Sequence, residues 1–339
     1  MYRANYTLRT CLSILMPVLT FKAKNAEDLY KHSKRVNWID YFGVDSTFKV
    51  GSAVFSDNFN HTGYASLVVK DAIADSFREK IGRRPSVDTE FPDIGINIHI
   101  SEDDCTLSID TSGTPLFKRG YRKRSGIAPL NEVLAAGIIS LSKWRENTEF
   151  LDPMCGSGTL AIEACMQALD MPSGLFRESF GFEKFFDFDK KMWEKVRIDC
   201  NKRIKPGLDI EFICSDSDKI MVDATKINLK ETGLDKYIKV KQADFFDLQK
   251  ADNPLTIFMN PPYDMRLKNK NINLFYEDIG SHLKHNFEDT KVYIFTGNLD
   301  LIKQIGLKPS SKTELYNAAI KSLLVSYELY AGTKKNKKL

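Results

Sequence analysis

The residues that point most directly to chemistry are Asn260, Pro261, Pro262 and Tyr263, which follow a short apolar run. The exocyclic nitrogen of a nucleic-acid base is a poor nucleophile because its lone pair is delocalised into the ring. The Asn260 side-chain oxygen and the Pro261 carbonyl oxygen can accept hydrogen bonds from the N–H groups of this nitrogen. The prolines fix these two acceptors in place. Tyr263 offers a face for stacking an extruded base. These four residues predict methyl transfer to a planar amine, without a metal.

A second group of residues could hold a nucleotide-like cofactor. Glycines within 156–158 follow a predicted strand and precede a predicted helix, which lets the backbone approach a ligand closely. An acid ends this strand and each of the next two. Asp152 is placed for an amino group of the ligand, Asp216 for the hydroxyls of a ribose and Asp244 for the amino group of an adenine. A glycine turn alone is weak evidence. Asp216 could instead cap the next helix, a role that Asp218 also fits.

Helices and strands alternate in the predicted pattern from about residue 126, and Pro129 suits the start of the first helix. This alternation predicts a doubly wound α/β sheet, in which ligands bind beyond the carboxyl ends of the strands. The strands are predicted at 149–151, 210–214, 238–241, 255–259, 291–295 and 323–329. Residues 171–205 fit no part of this pattern beyond one helix around Trp193 and Cys200.

The first part of the chain predicts a separate, small α+β domain. Strands are expected at 48–55, 94–100 and 105–110, with a helix whose apolar stripe runs from Ala65 to Phe77. We therefore divide the chain into an N-terminal domain (1–110), a basic linker (111–125), a catalytic domain (126–332) and a disordered basic tail (333–339).

A basic segment, residues 118–124, supports two interpretations. It could be a solvated linker, or it could contact RNA phosphates while Tyr121 stacks on a base or on the cofactor. Its members are Lys118, Arg119, Tyr121, Arg122, Lys123 and Arg124.

The overall composition excludes several other classes of protein. The net charge of +4 is too small to indicate nucleic-acid binding by itself. Six scattered cysteines without a CxxC pair argue against a zinc site or a disulfide framework. Neither a membrane-spanning run nor a signal peptide is evident. We therefore expect a cytoplasmic protein with reduced thiols.

Taken together, these motifs resemble the THUMP-containing class I RNA methyltransferases. Within that group the chain is most similar to the bacterial enzymes that methylate guanine N2 in 23S rRNA. The resemblance extends over nearly the whole chain and is carried by DTSG at 110–113, RGYR at 119–122, GIAPL at 126–130, DPMCGSGT at 152–159, EA at 163–164, SDSD at 215–218 and NPPY at 260–263.

The resemblance implies an S-adenosylmethionine (SAM) cofactor, an RNA substrate (23S rRNA) and a THUMP domain at 44–110 that helps present RNA. It also implies that Arg122 lies near the cofactor or the RNA, and we expect a monomer. The residues assigned to the cofactor are Ala128, Pro129, Asp152, Pro153, Met154, Gly156, Ser157, Gly158, Thr159, Asp216 and Asp244.

The chain also departs from this family in three respects. Family members usually have a longer N-terminus, so we expect the start of the N-terminal domain to be missing here. Asp264 stands where glycine is common, although Arg266 and Leu267 fit the pattern. Some relatives carry a second methyltransferase domain after the first.

Three other functions remain open from the sequence. The Asn-Pro-Pro-Tyr motif would serve adenine N6 in DNA equally well, but no separate DNA-recognition domain is evident. A protein glutamine is another planar amide, although the basic segment favours nucleic acid. The chain could also be a non-catalytic RNA-binding module, which loss of cofactor binding would support.

Overall fold

The elements that position these residues are seen in a computed structural model, which describes residues 1–59, 61–126, 129–250, 252–262 and 271–331. The helices are α1 (Tyr2–Thr7), α2 (Ala26–Arg35), α3 (Thr62–Ile81), α4 (Glu132–Ser142), α5 (Thr159–Ala168), α6 (Lys190–Asn201), α7 (Lys219–Thr232), α8 (Ile272–Asn286) and α9 (Leu301–Gln304). The strands are β1 (Leu15–Lys22), β2 (Phe48–Phe55), β3 (Ile94–Ser101), β4 (Asp104–Asp110), β5 (Glu149–Asp152), β6 (Phe212–Asp216), β7 (Ile238–Gln242), β8 (Leu255–Met259), β9 (Lys291–Thr296), β10 (Ser311–Asn317) and β11 (Ile320–Glu328).

The contacts divide the chain into two compact units. The N-terminal unit contains Met1–Lys118 and also Arg177–Lys202. The C-terminal unit contains Arg119–Phe176 and the chain from Arg203 onward.

The N-terminal unit is built on a four-stranded sheet in the order β1-β4-β3-β2. Strands β2 and β3 are parallel and are joined through α3, whereas β4 runs antiparallel to both β3 and β1. Isoleucines at alternate positions of β3 are buried, as expected of a strand with one face on the core. This arrangement is the small α+β domain predicted from the sequence, with α1, β1 and α2 added.

The segment Arg177–Lys202 packs within the N-terminal unit, although the sequence boundaries placed it inside the range 126–332. Aromatic contacts join it to α1: the ring centroids of Tyr2 and Phe182 are 4.6 Å apart, and those of Tyr6 and Trp193 are 5.3 Å apart. A local pattern cannot show that this insertion returns to an earlier part of the chain, because the contacts are long-range.

Arg177 also fixes the chain that leaves β4. Its guanidinium donates hydrogen bonds to a series of backbone carbonyls between 2.8 and 3.3 Å away, and it lies over the Phe180 ring. The carbonyls belong to Ser112, Thr114, Pro115 and Lys118. The first part of the predicted linker is therefore held in place by hydrogen bonds.

The C-terminal unit contains the predicted doubly wound sheet, with seven strands in the order β10-β11-β9-β8-β5-β6-β7. Strands β7, β6, β5, β8 and β9 are parallel, and β11 and β10 continue the sheet in antiparallel pairs. The chain proceeds outward from β5 to β7 and then returns to the other side of β5 with β8. The point between β5 and β8 is thus the topological switch point, where ligands of open α/β sheets bind.

Stacked aromatic rings on one face hold these central strands in register. Phe150 of β5 lies between Phe212 of β6 and Phe258 of β8, with centroids 5.3 and 4.8 Å away, and Phe258 stacks on Tyr293 of β9 at 4.8 Å. Trp144 packs edge-on against this row. Each aromatic pair contributes about 0.5–1.5 kcal/mol beyond its buried area. The row therefore helps to fix β5, β6 and β8 relative to one another.

Some predicted boundaries differ from the structure for local reasons. Helix α4 begins at Glu132, three residues after Pro129, because the Asn131 side chain accepts from the N–H groups of Val133 and Leu134. Strand β7 ends at Gln242, so Asp244 lies two residues beyond it. Strand β10 was not predicted; its exposed, polar sequence carries no clear apolar alternation.

The cysteines are free thiols, and all except Cys11 are buried. Among the described helices, none has the length and apolar character to cross a bilayer.

Candidate active site

The loop after β5, residues 153–158 (the cofactor loop), turns sharply into α5. Gly156 and Gly158 have φ angles of +54° and +82°, in the left-handed region that favours glycine. A Cβ on Gly158 would meet Thr225 Cγ2 of α7 at 2.8 Å, so a side chain there would displace the loop, while Gly156 has open space around it. Pro153 and Ser157 are buried and Met154 is half-buried.

Neighbouring elements hold the cofactor loop by hydrogen bonds. The Cys155 N–H donates to the Ser215 carbonyl of β6 at 3.0 Å. The Thr225 hydroxyl donates to the Gly156 carbonyl at 2.8 Å, and the Asn228 side chain donates to the Ser157 carbonyl at 3.0 Å. Both come from α7, and neither was identified from the sequence. The available signal was a pair of polar residues three positions apart on a helix.

Asp216 ends β6 beside this loop. One of its carboxylate oxygens accepts from the Gly156 N–H at 2.9 Å, and the other accepts from the Asp218 N–H at 3.0 Å. Burial raises the pKa of Asp216, although these two hydrogen bonds act in the opposite direction. Asp218, and not Asp216, caps α7, since its side chain accepts from the Ile220 N–H at 2.8 Å.

Asp152, the last residue of β5, is the most deeply buried acid of the site, with 1% of its surface exposed. Its Oδ1 atom is buried and has no hydrogen-bond partner among the described residues. Burial raises the pKa of Asp152 well above its usual value of 3.8, and the charge of Asp216 raises it further. An unpartnered buried acceptor of this kind suits a ligand that brings an N–H donor or a positive charge.

Asn260 follows the last residue of β8, a strand that is buried throughout. Its Oδ1 atom is also buried and lacks a partner within the described chain. Pro261 is buried and Pro262 half-buried, while Tyr263 and the following residues to 270 lie outside the described ranges. Because β5 and β8 are adjacent and parallel, Asp152 and Asn260 lie at the same edge of the sheet.

Of the three acids predicted at strand ends, Asp244 lies farthest from its strand. It is exposed, and its side chain accepts from the Phe246 N–H at 3.1 Å, capping a short 3-10 helix. Its carboxylate nevertheless follows β7, at the same edge of the sheet as Asp216. Ala128 lies outside the described residues, and Pro129 is exposed.

Two residues of the basic segment are buried within the C-terminal unit. Arg119 and Tyr121 are each only 1% exposed, and both contact the buried Glu163 of α5, at 3.4 Å and 3.1 Å. Tyr121 thus has no open face on which an RNA base could stack. The short sequence pattern could not reveal this, because Glu163 lies 42 residues further along the chain.

Residues 119–124 are anchored to the C-terminal unit and will be called the strap. Arg122 pairs with Glu132 of α4 at 3.1 Å and donates to the Leu130 carbonyl and to the Thr159 hydroxyl at the start of α5. Of the strap's cations, Lys123 and Arg124 remain exposed, as does Lys118 just before it.

In the part of the chain that the structure describes, no cluster of three or more His, Cys, Asp or Glu side chains is arranged to hold a metal ion. What the site does contain is two unpartnered buried oxygens, a glycine-rich loop and a half-buried acid, all at the carboxyl edge of a mostly parallel sheet.

Comparison with known protein families agrees with this geometry. Residues 119–326 match the family model of the RMKL-like methyltransferase domain. The chain belongs to this methyltransferase family. Residues 23–110 match the THUMP domain, a range that begins earlier than the expected residue 44.

Individual relatives extend the comparison. A Synechocystis sp. protein named as an RNA methyltransferase is 35% identical over 97% of this chain and 86% of its own length. The ribosomal RNA large subunit methyltransferase K/L of Syntrophotalea carbinolica is 34% identical over 97% of the chain. The chain spans 48% of that relative's length. A crystal structure described as a methyltransferase complexed with SAH has a TM-score of 0.84 and 28% identity, covering 98% of this chain and 88% of the other.

The buried carboxylate of Asp152 leads to a prediction about stability. Because the pKa of Asp152 is higher in the folded chain than in the unfolded chain, its ionisation opposes folding as the pH rises above 3.8. We expect Asp152→Asn to stabilise the ligand-free protein by about 1–3 kcal/mol at neutral pH. The gain should shrink as the pH falls towards 4. Thermal unfolding at several pH values measures it.

Asp209→Asn is the matched control, because Asp209 is exposed before the amino end of β6. It should change stability little at any pH. If Asp152→Asn were less stable than the wild type at neutral pH, the Asp152 carboxylate would not be destabilising in the ligand-free protein, and the prediction would be wrong.

Proposed function

We propose that the protein transfers a methyl group from SAM to the exocyclic N2 amine of a guanine in RNA, with 23S rRNA as the substrate. The observation that carries this proposal is the pair of unpartnered, buried oxygens of Asp152 and Asn260 at the ends of two adjacent parallel strands. One is suited to an ammonium group of the cofactor and the other to the amine that receives the methyl group.

The residues present fit SAM, and the SAH bound to the similar crystal structure supports the same cofactor. SAM supplies a methyl group on a sulfonium that is already electrophilic, so the protein's main task is alignment. Asp152 would accept from the amino group of the methionine end, and the cofactor loop would line that end. Asp216 would accept from the ribose hydroxyls, and Asp244 from the adenine amine.

Asn260 and Pro261 would orient the substrate amine. The Asn260 Oδ1 and the Pro261 carbonyl oxygen would each accept a hydrogen bond from one N–H group of the amine. These two hydrogen bonds would turn the nitrogen lone pair out of conjugation and towards the methyl group. Pro261 and Pro262 restrict the backbone, so the acceptors need not reorganise when the base arrives. Tyr263 would stack on the base.

Three observations support RNA as the substrate. The chain contains a THUMP match, and its relatives are named as RNA and ribosomal RNA methyltransferases. Lys123 and Arg124 are exposed on the strap of the same unit as the site and could contact phosphates. Guanine N2 follows from the resemblance to enzymes that methylate this position.

Methyl transfer from labelled SAM to unmodified 23S rRNA, tRNA and DNA tests the proposal. Nucleoside mass spectrometry should detect N2-methylguanosine from 23S rRNA. Detection of N6-methyladenine from DNA would show that both the base and the nucleic acid in the proposal are wrong. Label incorporated into protein instead of nucleic acid would indicate a glutamine substrate. Failure to bind the cofactor while still binding RNA would indicate a non-catalytic module.

Asn260→Ala should reduce kcat by at least about 100-fold, because the target amine loses an acceptor needed for alignment. The affinity for SAH should remain within about twofold of the wild type, since Asn260 is assigned to the base. Single-turnover kinetics and calorimetry measure the two quantities.

Asn253→Ala is the control, at the other end of β8. Asn253 precedes the amino end of β8, is exposed and donates to Glu149, at the opposite edge of the sheet from the site. Its replacement should leave kcat unchanged. Near-normal turnover by Asn260→Ala would remove Asn260 from the mechanism.

A further inference from the structure

Asn228, on α7, connects the strap to the cofactor loop through one buried side chain. Its Oδ1 accepts from the N–H groups of Lys123 and Arg124 at 2.8 and 3.0 Å. Its Nδ2 donates to the Arg124 carbonyl at 2.8 Å and to the Ser157 carbonyl at 3.0 Å. A single amide therefore joins two segments that are more than thirty residues apart in the sequence.

We propose that Asn228 is a positioning residue that couples RNA binding by the strap to SAM binding by the cofactor loop. This inference rests on the proposed function, since it takes Lys123 and Arg124 as contacts to RNA phosphates. It assigns to Asn228 no contact with either ligand.

The hydrogen-bonding capacity of Asn228 is fully used by these two segments. An asparagine side chain offers two donors and an oxygen with two lone pairs, and all four are engaged. The residue is 0% exposed, so water cannot replace a lost partner without entering the core. Loss of this amide would therefore free the end of the strap and the loop from each other at this point.

On the loop side, α7 holds two successive carbonyls. Thr225, one turn before Asn228, donates to the Gly156 carbonyl, and Asn228 donates to the next one, at Ser157. The carbonyls of Gly156 and Ser157 lie in the turn that the positive φ angles of Gly156 and Gly158 create. A shift of Asn228 would therefore be transmitted to the peptide groups that face the cofactor.

On the strap side, the start of the strap is immobilised by buried ion pairs and only its end depends on Asn228. Arg119 and Arg122 pair with Glu163 and Glu132. Beyond them, the main chain of Lys123 and Arg124 is held by the Asn228 amide, while both side chains are exposed. Phosphate binding at this end would thus act on a side chain that also holds the loop.

Coupling between two ligands is reciprocal: if RNA raises the affinity for cofactor, cofactor raises the affinity for RNA by the same factor. For the wild type we expect unmodified 23S rRNA to tighten SAH binding by about 5-fold or more. Asn228→Asp keeps the oxygen that accepts from the strap but replaces both donors, placing a carboxylate oxygen against two carbonyls. It should reduce the coupling factor to about 1.

Calorimetry of SAH with and without saturating 23S rRNA transcript gives the coupling factor for each variant. Thr232→Val is the matched control, because its buried hydroxyl donates to Leu229 on the same helix and touches neither segment. It should weaken α7 and retain the coupling. Asn228→Ser serves as a second variant in case Asn228→Asp fails to fold.

Three results would overturn the inference: no coupling in the wild type, wild-type coupling in the Asn228 variants, or equal loss of coupling in Thr232→Val. Failure of the proposed function is recognised separately. It would appear as a wild-type protein that binds SAH but yields no N2-methylguanosine from RNA, whereas failure of this inference leaves methylation of RNA by the wild type intact.

Discussion

Two buried oxygen atoms at the carboxyl ends of adjacent parallel strands impose a free-energy cost that the rest of the C-terminal unit must offset. Burying a polar atom without a partner costs about 1–3 kcal/mol in proteins, and the unit buries both Asp152 Oδ1 and Asn260 Oδ1 in this way. Such atoms stay in place only if the surrounding structure is stable enough to hold them. The stacked aromatic rings across β6, β5, β8 and β9 contribute to that rigidity within the same strands.

The order of the strands explains why these atoms meet. Because β8 returns to the side of β5 opposite to β6, residues distant in sequence arrive at one edge. The glycine-rich turn follows β5 and the acid Asp216 ends β6, so the same edge carries groups for a complete cofactor. Helix α7 then fixes the turn through Thr225 and Asn228. Hydrogen bonds from the protein thus hold the main chain of the loop, while the two oxygens remain for ligands.

The sequence predicted the parts of this arrangement that depend on local patterns. The buried strand β8 and the ends of β5 and β6 follow from continuous apolar runs and the residues that close them, and Gly156 and Gly158 have the conformations that only glycine adopts readily. Long-range pairing was not visible. Arg119 and Tyr121 look like RNA contacts until Glu163 is placed beside them, and the insertion from Arg177 looks like part of the catalytic domain until its contacts with α1 are seen. In both cases the partner is dozens of residues away.

The most direct test of the central claim measures protons released when SAH binds. Because burial raises the pKa of Asp152, this carboxyl keeps its proton to higher pH than an ordinary aspartic acid, and the titration is followed over a series of pH values above 3.8. Binding an ammonium group beside it should release that proton. Calorimetry in two buffers of different ionisation enthalpy should then give different binding enthalpies for the wild type and equal ones for Asp152→Asn. Equal enthalpies for the wild type at every pH of the series would show that Asp152 does not receive the cofactor's charge.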